Sequence, residues 1–305
     1  MDILKKVAAF CRDEALFADG DKIVVACSGG PDSLALLDIL ARLAPAHHLQ
    51  LLVCYVHHGI RRAADEEVER VRQEAARRHC AFVCCRSNVP AVAAREHRSL
   101  EAVGRDERYR LLRQEAKKWQ ARAIAVAHHR NDQAETVLLH VLRGSGLSGL
   151  KGMQPKRGDI IRPLLDLTRQ EIDEYIEKQQ LRPCHDETND SDVFFRNRIR
   201  LHLLPYLKQY NPAIVADLNR LAQLAQADDD VLQQETARIY AALAVCQQET
   251  VCVDKKKFLV QPLAVQRRII RLLCQDVTGS MKNISFQHVE TVRKLAFKGA
   301  GKQFA

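Results

Sequence analysis

No two of the ten cysteines stand as a C-x-x-C pair, so the usual spacing of zinc, iron–sulfur and dithiol redox sites is missing. The tightest group, Cys80, Cys84 and Cys85, spans a helix end and a strand, where alternation sends Cys84 and Cys85 to opposite faces. Cys27, Cys54, Cys84 and Cys85 sit among Val, Ala, Phe and Leu and read as reduced core thiols. No apolar run approaches the length of a membrane span. The stretch from Met1 to Phe17 carries Lys5, Lys6 and Arg12 with three acids, unlike a secretory leader. A cytoplasmic protein is expected. Also missing is the Gly-Lys-Ser/Thr string of the common P-loop, and with it a lysine for terminal phosphates.

What is present is a 305-residue chain, 47% hydrophobic and 28% charged, long enough for two domains. Strand signals at 22–28, 50–57, 81–86, 123–128 and 159–162 alternate with helical patterns at 32–43, 64–79, 99–119, 132–143 and 168–180. That rhythm predicts an α/β fold, a mainly parallel, doubly wound sheet with helices on both faces. Residues 195–207 read as a helix ending near Pro205, and Asn211-Pro212 as a turn. Strand signals then mostly stop, and helical spacing runs from Ala213 to about Ala244 and again through Val265, Ile269, Leu272 and Leu273. The expected division is a sheet domain over 1–210 and a smaller helical domain over 211–305.

Residues 23–33 carry the sharpest chemical signal. A buried strand, Ile23-Val24-Val25-Ala26, passes through Cys27-Ser28-Gly29-Gly30 directly into a helix that starts at Pro31-Asp32-Ser33. Two glycines let backbone approach a ligand, and the new helix presents free amides and the positive end of its dipole to an anion. Ser28 and Ser33 add hydroxyls. Asp32 beside a polyphosphate is repelled unless a divalent cation bridges them, which suggests Mg2+. The competing reading is a plain helix start, which Pro31 and Asp32 also suit.

The Ser28-Gly29-Gly30-x-Asp32-Ser33 string resembles the signature of the PP-loop ATP pyrophosphatases. More specific is the run Ala127-His128-His129-Arg130-Asn131-Asp132-Gln133-Ala134-Glu135-Thr136, followed by Arg143-Gly144-Ser145-Gly146-Leu147 and Gly149-Leu150-x-Gly152-Met153. With Arg162-Pro163-Leu164-Leu165, Arg169-x-Glu171-Ile172, Asp186-x-x-Asn189 and Arg196-Asn197-Arg198-Ile199-Arg200, it resembles the tRNA(Ile)-lysidine synthetase family over roughly residues 20 to 212. His57 to Arg61 and Glu101 to Tyr109 match as well. The resemblance implies a ligase acting on the wobble cytidine of a CAU-anticodon isoleucine tRNA. ATP activates the carbon-2 oxygen, and free L-lysine then attacks carbon 2 through its ε-amine and expels AMP.

On that resemblance, residues 28–33 bind ATP, Asp32 and Asp132 hold Mg2+, and Asp32, Arg105, His128, His129, Asp132 and Arg196 form the catalytic set. Arg105 and Arg108 suit a developing polyphosphate charge, with Asp106 and Glu107 expected to face away. The attacking lysine starts with a pKa near 10.4, a handicap of roughly 4.6 kcal/mol at pH 7, so a nearby base is needed. Asp132, His128 and His129 are the candidates. Asn131 stands where the family usually has an acid, as a weaker metal ligand or as a cap.

The net charge is +9, and from Asp254 to Lys302 eleven Lys or Arg face three acids. Lys255, Lys256, Lys257, Arg267, Arg268 and Arg271, with Arg198, are therefore expected to hold tRNA backbone, a solvated basic face being the alternative. A PP-loop tRNA thiolase and a catalytically inactive tRNA-binding protein are the rival readings. Many family members continue into a further domain, and residues 299–305 resemble the approach to one. The oligomeric state is left open, a homodimer included.

Overall fold

The computed structural model describes residues 2–59, 64–184, 195–247, 250–280 and 284–297. They form two compact units, Met1–Ser145 with Gly152–Ala222, and Gly146–Lys151 with Gln223–Ala305. No helix among the described residues is long and apolar enough to cross a membrane.

The first unit is built on β1 (Lys22–Ala26), β2 (Gln50–His57), β3 (Ala81–Arg86), β4 (Ala123–Ala125), β5 (Lys156–Arg157) and β6 (Ile160–Ile161), in the order β3-β2-β1-β4-β6-β5. Every pair is parallel except the β5–β6 edge. Its helices are α1 (Ile3–Asp13), α2 (Pro31–His47), α3 (Ala64–Arg77), α4 (Val89–Glu96), α5 (Leu100–Trp119) and α6 (Arg130–Leu142). After α7 (Leu147–Leu150), which belongs to the second unit, come α8 (Arg169–Lys178), α9 (Phe195–Arg198), α10 (Leu204–Tyr210) and the start of α11 (Ile214–Leu243).

Period-2 alternation explains the two layers. Ile23 and Val25 of β1 join Leu51, Val53 and Ala125 in a core with Leu36, Leu37 and Leu40 of α2, while Val24 joins Leu52, Cys54 and Ile124 against Leu111 and Leu112 of α5. With both faces covered, β1 reads as a continuous apolar run. From β1 the chain steps outward to β2 and β3, then crosses back to β4 on the other side of β1. Strand order reverses there, so the carboxyl ends of β1 and β4 open a crevice.

The anticipated parallel sheet is thus present, with strand 123–128 shortened to three residues and the α1, α4 and β5 segments added. The helix anticipated to end near Pro205 instead continues to Tyr210, with Pro205 in the first turn of α10. Between α9 and α10 lies a π-helical segment, Ile199–Leu203, in which the Leu204 N–H donates to the Ile199 carbonyl. Its wider ladder leaves room for a ring that an α-ladder would press against the carbonyl four residues back. The units part inside α11 after Ala222, later than the 210/211 division read from the sequence, because Leu218 and Ala222 pack with Ala134, Val137, Ile199 and Leu204.

The second unit combines α7 and the rest of α11 with a hairpin, β7 (Ala244–Gln247) and β8 (Thr250–Val253), and with α12 (Lys255–Leu259), α13 (Leu263–Thr278) and α14 (Phe286–Leu295). The hairpin departs from the helical expectation; four-residue strands carry too little alternation to register. Leu243, Phe258, Val265, Ile269, Ile270 and Val289 make the core. Beside it Asp229, 1% exposed, accepts hydrogen bonds from Ser148 Oγ (2.9 Å), Lys151 Nζ (2.7 Å) and Arg268 Nη2 (2.5 Å). Arg268, expected to meet RNA, is instead committed to this internal pair.

Burial alone would raise the Asp229 carboxyl, but Lys151, Arg268 and Ser148 together hold it below its ordinary value. A lowered folded pKa means stabilisation that is present above the unfolded value near 3.9 and lost as pH falls through the folded one. Asp229→Asn is expected to destabilise the second unit by about 3 kcal/mol at pH 7. The gap should narrow below about pH 4, as read by amide exchange in α13.

Candidate active site

The turn after β1 is shaped by two residues. Gly29 adopts φ +85, and a Cβ there would lie 3.2 Å from both Cys184 Sγ and Val71 Cγ2, so glycine is required for conformation and for space. Its carbonyl accepts from the Cys184 N–H at 2.9 Å. Ser33, buried, closes the loop from inside: its Oγ accepts from the Ser28 N–H at 3.2 Å and donates to the Gly30 carbonyl at 2.9 Å. Ser33 therefore braces the turn, and the hydroxyl of the exposed Ser28 lies 3.4 Å from Ser33 Oγ. Gly30 is the N-cap and Pro31 opens the helix, with no side-chain cap. The first-turn amides at Asp32 and Ser33 have no carbonyl of the helix to bond, which leaves an anion-binding end.

Across the crevice, the segment following β4 delivers His128, His129 and α6. His129 and Asp132 form a reciprocal capping box: the His129 N–H donates to Asp132 Oδ2 (3.0 Å), and the Asp132 N–H points at His129 Nδ1 (3.4 Å). With Nδ1 facing the Asp132 N–H, Nε2 is the nitrogen turned to the carboxylates, 3.5 Å from Asp132 Oδ2 and 3.8 Å from Asp32 Oδ1. The ring thus links the two halves of the crevice. Asp32 also accepts from Arg169 Nη1 at 3.0 Å. Burial raises the Asp32 pKa, more than His129 and Arg169 lower it.

Behind Asp132 stands a charge network that the sequence reading missed in part. Glu135, 1% exposed, accepts from Arg196 Nε (2.8 Å) and Arg200 Nε (2.6 Å), and both arginines also donate to Asp132 Oδ1, at 3.1 and 3.0 Å. Burial alone would raise Asp132, but His129, Arg196, His128 and Arg200 outweigh it and hold the carboxyl down. Arg196 and Arg200 are one turn apart, as are Asp132 and Glu135, so spacing was the available signal. Arg198 lies off that face and is exposed; it shares no network with Arg196.

His128 does not suit the role of proton acceptor. Burial, reinforced by Arg162, Arg196 and Arg108, outweighs Asp132 and pushes its pKa down to about 3, so the ring is a neutral, weakly basic group. Asn131 Oδ1 accepts from the Arg169 N–H at 3.1 Å, tying α6 to the start of α8, so its amide oxygen acts as a cap. Arg105 and Arg108 gather over Tyr109, 5.3 and 5.4 Å from the ring centre, while Asp106 and Glu107 turn away to Arg98 and Arg110.

In the second unit Lys255, Lys256, Lys257 and Arg271 are exposed, whereas Arg267 donates to Glu290 at 2.7 Å. Asp186, Asn189, Arg61 and residues 299–305 lie outside the described residues.

Among the described residues no three or more His, Cys, Asp or Glu gather as a metal site. Mg2+ usually keeps several waters and takes one or two carboxylates plus substrate phosphates. Asp32 fits that pattern, its oxygens sharing one guanidinium nitrogen. Asp132, with donors on both oxygens, fits less well.

An uncapped helix start at the switch point of a parallel sheet, faced by an acid and arginine network, defines a nucleotide-phosphate-binding α/β domain. The chain belongs to the PP-loop domain family, whose model matches residues 2–207. It is similar to tRNA(Ile)-lysidine synthases: 35% identical over 302 residues to that of Clostridium perfringens, covering 98% of this chain and 64% of the relative. To that of Geobacter sulfurreducens it is 39% identical over 299 residues, covering 96% and 63%. The chain thus spans under two thirds of these relatives. Among solved structures, the U34-tRNA thiolase NcsA from Methanococcus maripaludis, with its [4Fe-4S] cluster, matches with a TM-score of 0.56 at 15% identity over 73% of this chain and 78% of that one. That likeness is one of fold.

Gly29→Ala is expected to lower stability by about 1–2 kcal/mol, through left-handed strain and contact with Cys184 and Val71, as measured by denaturant unfolding. Gly20→Ala, also at positive φ but with open space around it, serves as the comparison and should lose less.

Proposed function

We propose that this chain ligates free L-lysine to carbon 2 of the wobble cytidine of a CAU-anticodon isoleucine tRNA, using ATP and releasing pyrophosphate and AMP. One observation carries the reading. The uncapped start of α2 opens beside Asp32, His129 and Asp132, in a chain similar along nearly its whole length to tRNA(Ile)-lysidine synthases.

The amides of the turn and the Ser28 hydroxyl take phosphate oxygens, with Arg105 and Arg108 facing the charge that shifts as pyrophosphate departs. Asp32 would be the residue to hold Mg2+, which would neutralise part of the polyanion. The cytidine carbon-2 oxygen displaces pyrophosphate from the α-phosphorus. The lysine ε-amine then adds to carbon 2, gives up a proton, and AMP leaves with the oxygen. Of the two carboxyls meeting in the crevice, burial prevails over the neighbouring cations only at Asp32, so it suits uptake of that proton once pyrophosphate has left. Asp132, pinned by two guanidinium groups, and His128, with its depressed pKa, orient their neighbours instead.

Sulfur insertion finds less support. Cys27 and Cys184, the cysteines beside the turn, are buried, and burial pushes the Cys27 thiol up to about 11 and raises that of Cys184, far from the thiolate that such chemistry uses.

Incubation of the protein with ATP, labelled lysine and the CAU-anticodon transcript should put label into RNA with one pyrophosphate per lysine. Asp32→Asn should lower that rate by about 100-fold or more. Failure of label to enter RNA, or a requirement for a sulfur donor in place of lysine, would contradict the reading.

A further inference from the structure

In the first unit, α5 and the β5–β6 edge border an open groove of about 830 Å3 lined by Arg105, Tyr109, Arg113, Lys117, Arg157 and Arg162. Its charge is one-sided. The acid in its lining, Asp106, is engaged by Arg98 at 2.5 Å, and Arg113 is held by Asp159 at 2.8 Å. Among the described residues no carboxylate pairs with Arg105, Lys117, Arg157 or Arg162. Tyr109 Oη and Arg162 Nε are both buried without a hydrogen-bond partner, although Arg162 Nη1 donates to the Gln154 carbonyl at 2.6 Å. Burial lowers the Arg162 pKa, against the opposing Tyr109 phenol, and the nearby Arg105 and Arg157 lower it further. Like charges held this close, with buried donors unused, are stable partners for a polyanion.

The groove's length narrows the choice of anion. Arg105 and Lys117 lie twelve residues apart on one helix, about 18 Å at 1.5 Å per residue, longer than the phosphate chain of one nucleotide. Its upper end lies at Arg105 and Tyr109, where Arg108 stands over the same ring. Its lower end, at Lys117 and Arg157, leads away along the flank of the sheet.

We propose that this groove holds the sugar–phosphate backbone of the RNA strand adjoining the reacting base. It is a contact on the catalytic unit itself, separate from the basic helices of the second unit. Arg162 takes the phosphate nearest the crevice, and Lys117 and Arg157 take phosphates further along. Tyr109 is a positioning residue: its ring gathers the guanidinium groups of Arg105, Arg108 and Arg113, at 5.3, 5.4 and 5.9 Å. The inference rests on the proposed tRNA substrate and assigns which surface of the chain guides it.

Lys117→Glu/Arg157→Glu in the full chain tests it, because both residues are exposed and outside the crevice. Binding of the CAU-anticodon transcript is read by fluorescence anisotropy over a salt series, ATP binding by calorimetry, and folding by thermal melting. Dissociation should rise at least about tenfold at 0.1 M salt, and the slope of log K against log salt should shrink by about 1.5. ATP affinity should be unchanged. Lys117→Gln/Arg157→Gln should give an intermediate effect, and Lys5→Glu/Arg12→Glu on α1, an equal change of charge, should give a much smaller one. In turnover the groove variant should raise KM for RNA and leave kcat within twofold. Unaltered RNA affinity in the groove variant, with the unmodified chain binding RNA, overturns the groove alone. So does a loss of ATP binding with RNA binding intact. If the unmodified chain binds no RNA, the substrate reading itself fails, and the groove with it.

Discussion

Everything at the crevice depends on keeping one helix end bare. An α-helix begins with amides that lack carbonyls, and most helices silence them with a side-chain oxygen at the N-cap. Here the N-cap is Gly30, which has none to offer. The serine that could have folded back as a cap, Ser33, bonds the loop instead, at Ser28 N and Gly30 O. Gly29, in a conformation that other residues resist, turns the chain so that the bare end faces the gap between β1 and β4. By contrast, the helix across the gap is capped twice over, by His129 and Asp132 reciprocally. One helix start is left for a ligand and its neighbour is made rigid.

The arginines divide along the same line. Arg169, Arg196 and Arg200 each meet a carboxylate, and their work is to hold Asp32, Asp132 and Glu135 in place. Breaking such a pair leaves a charge without compensation, so the network positions firmly whatever its net contribution to stability. Arg108 and Arg162 are different. Burial lowers both, the Tyr109 phenol offsets part of this, nearby arginines lower them further, and among the described residues no carboxylate pairs with either. Cations in that condition are stabilised by an incoming polyanion, which is how a basic, folded surface stores affinity for substrate phosphates.

Much of the sheet was legible because its rules are local. Two-sided burial makes an unbroken apolar strand, and a glycine pair ahead of Pro-Asp-Ser marks a turn into a helix, so β1, the loop and α2 are plain in the residues themselves. The short elements were hidden: two residues in β5 and four in each strand of the hairpin cannot establish a period. Pro205 misled because a π-helical turn absorbs a ring that ordinarily ends a helix. At the site, types and spacing picked out Asp32, His129, Asp132 and Arg196, which do converge. They could not reveal that Asp132 caps a helix, that Asn131 bonds α8, or that Arg200 rather than Arg198 joins Arg196. Those depend on which face meets Glu135 across a fold. Arg268 shows the same limit in the basic tail, where a charge count cannot tell a phosphate contact from a partner for buried Asp229.

Where the nucleotide's phosphates sit decides whether the bare end of α2 is the binding site. A crystal structure of the chain with a non-hydrolysable ATP analogue and Mg2+ measures this directly. Phosphate density against the backbone amides of residues 29–33, with the α-phosphorus open toward the β4 side, is the predicted result. An analogue bound elsewhere, with the turn closed over by its own side chains, would contradict it.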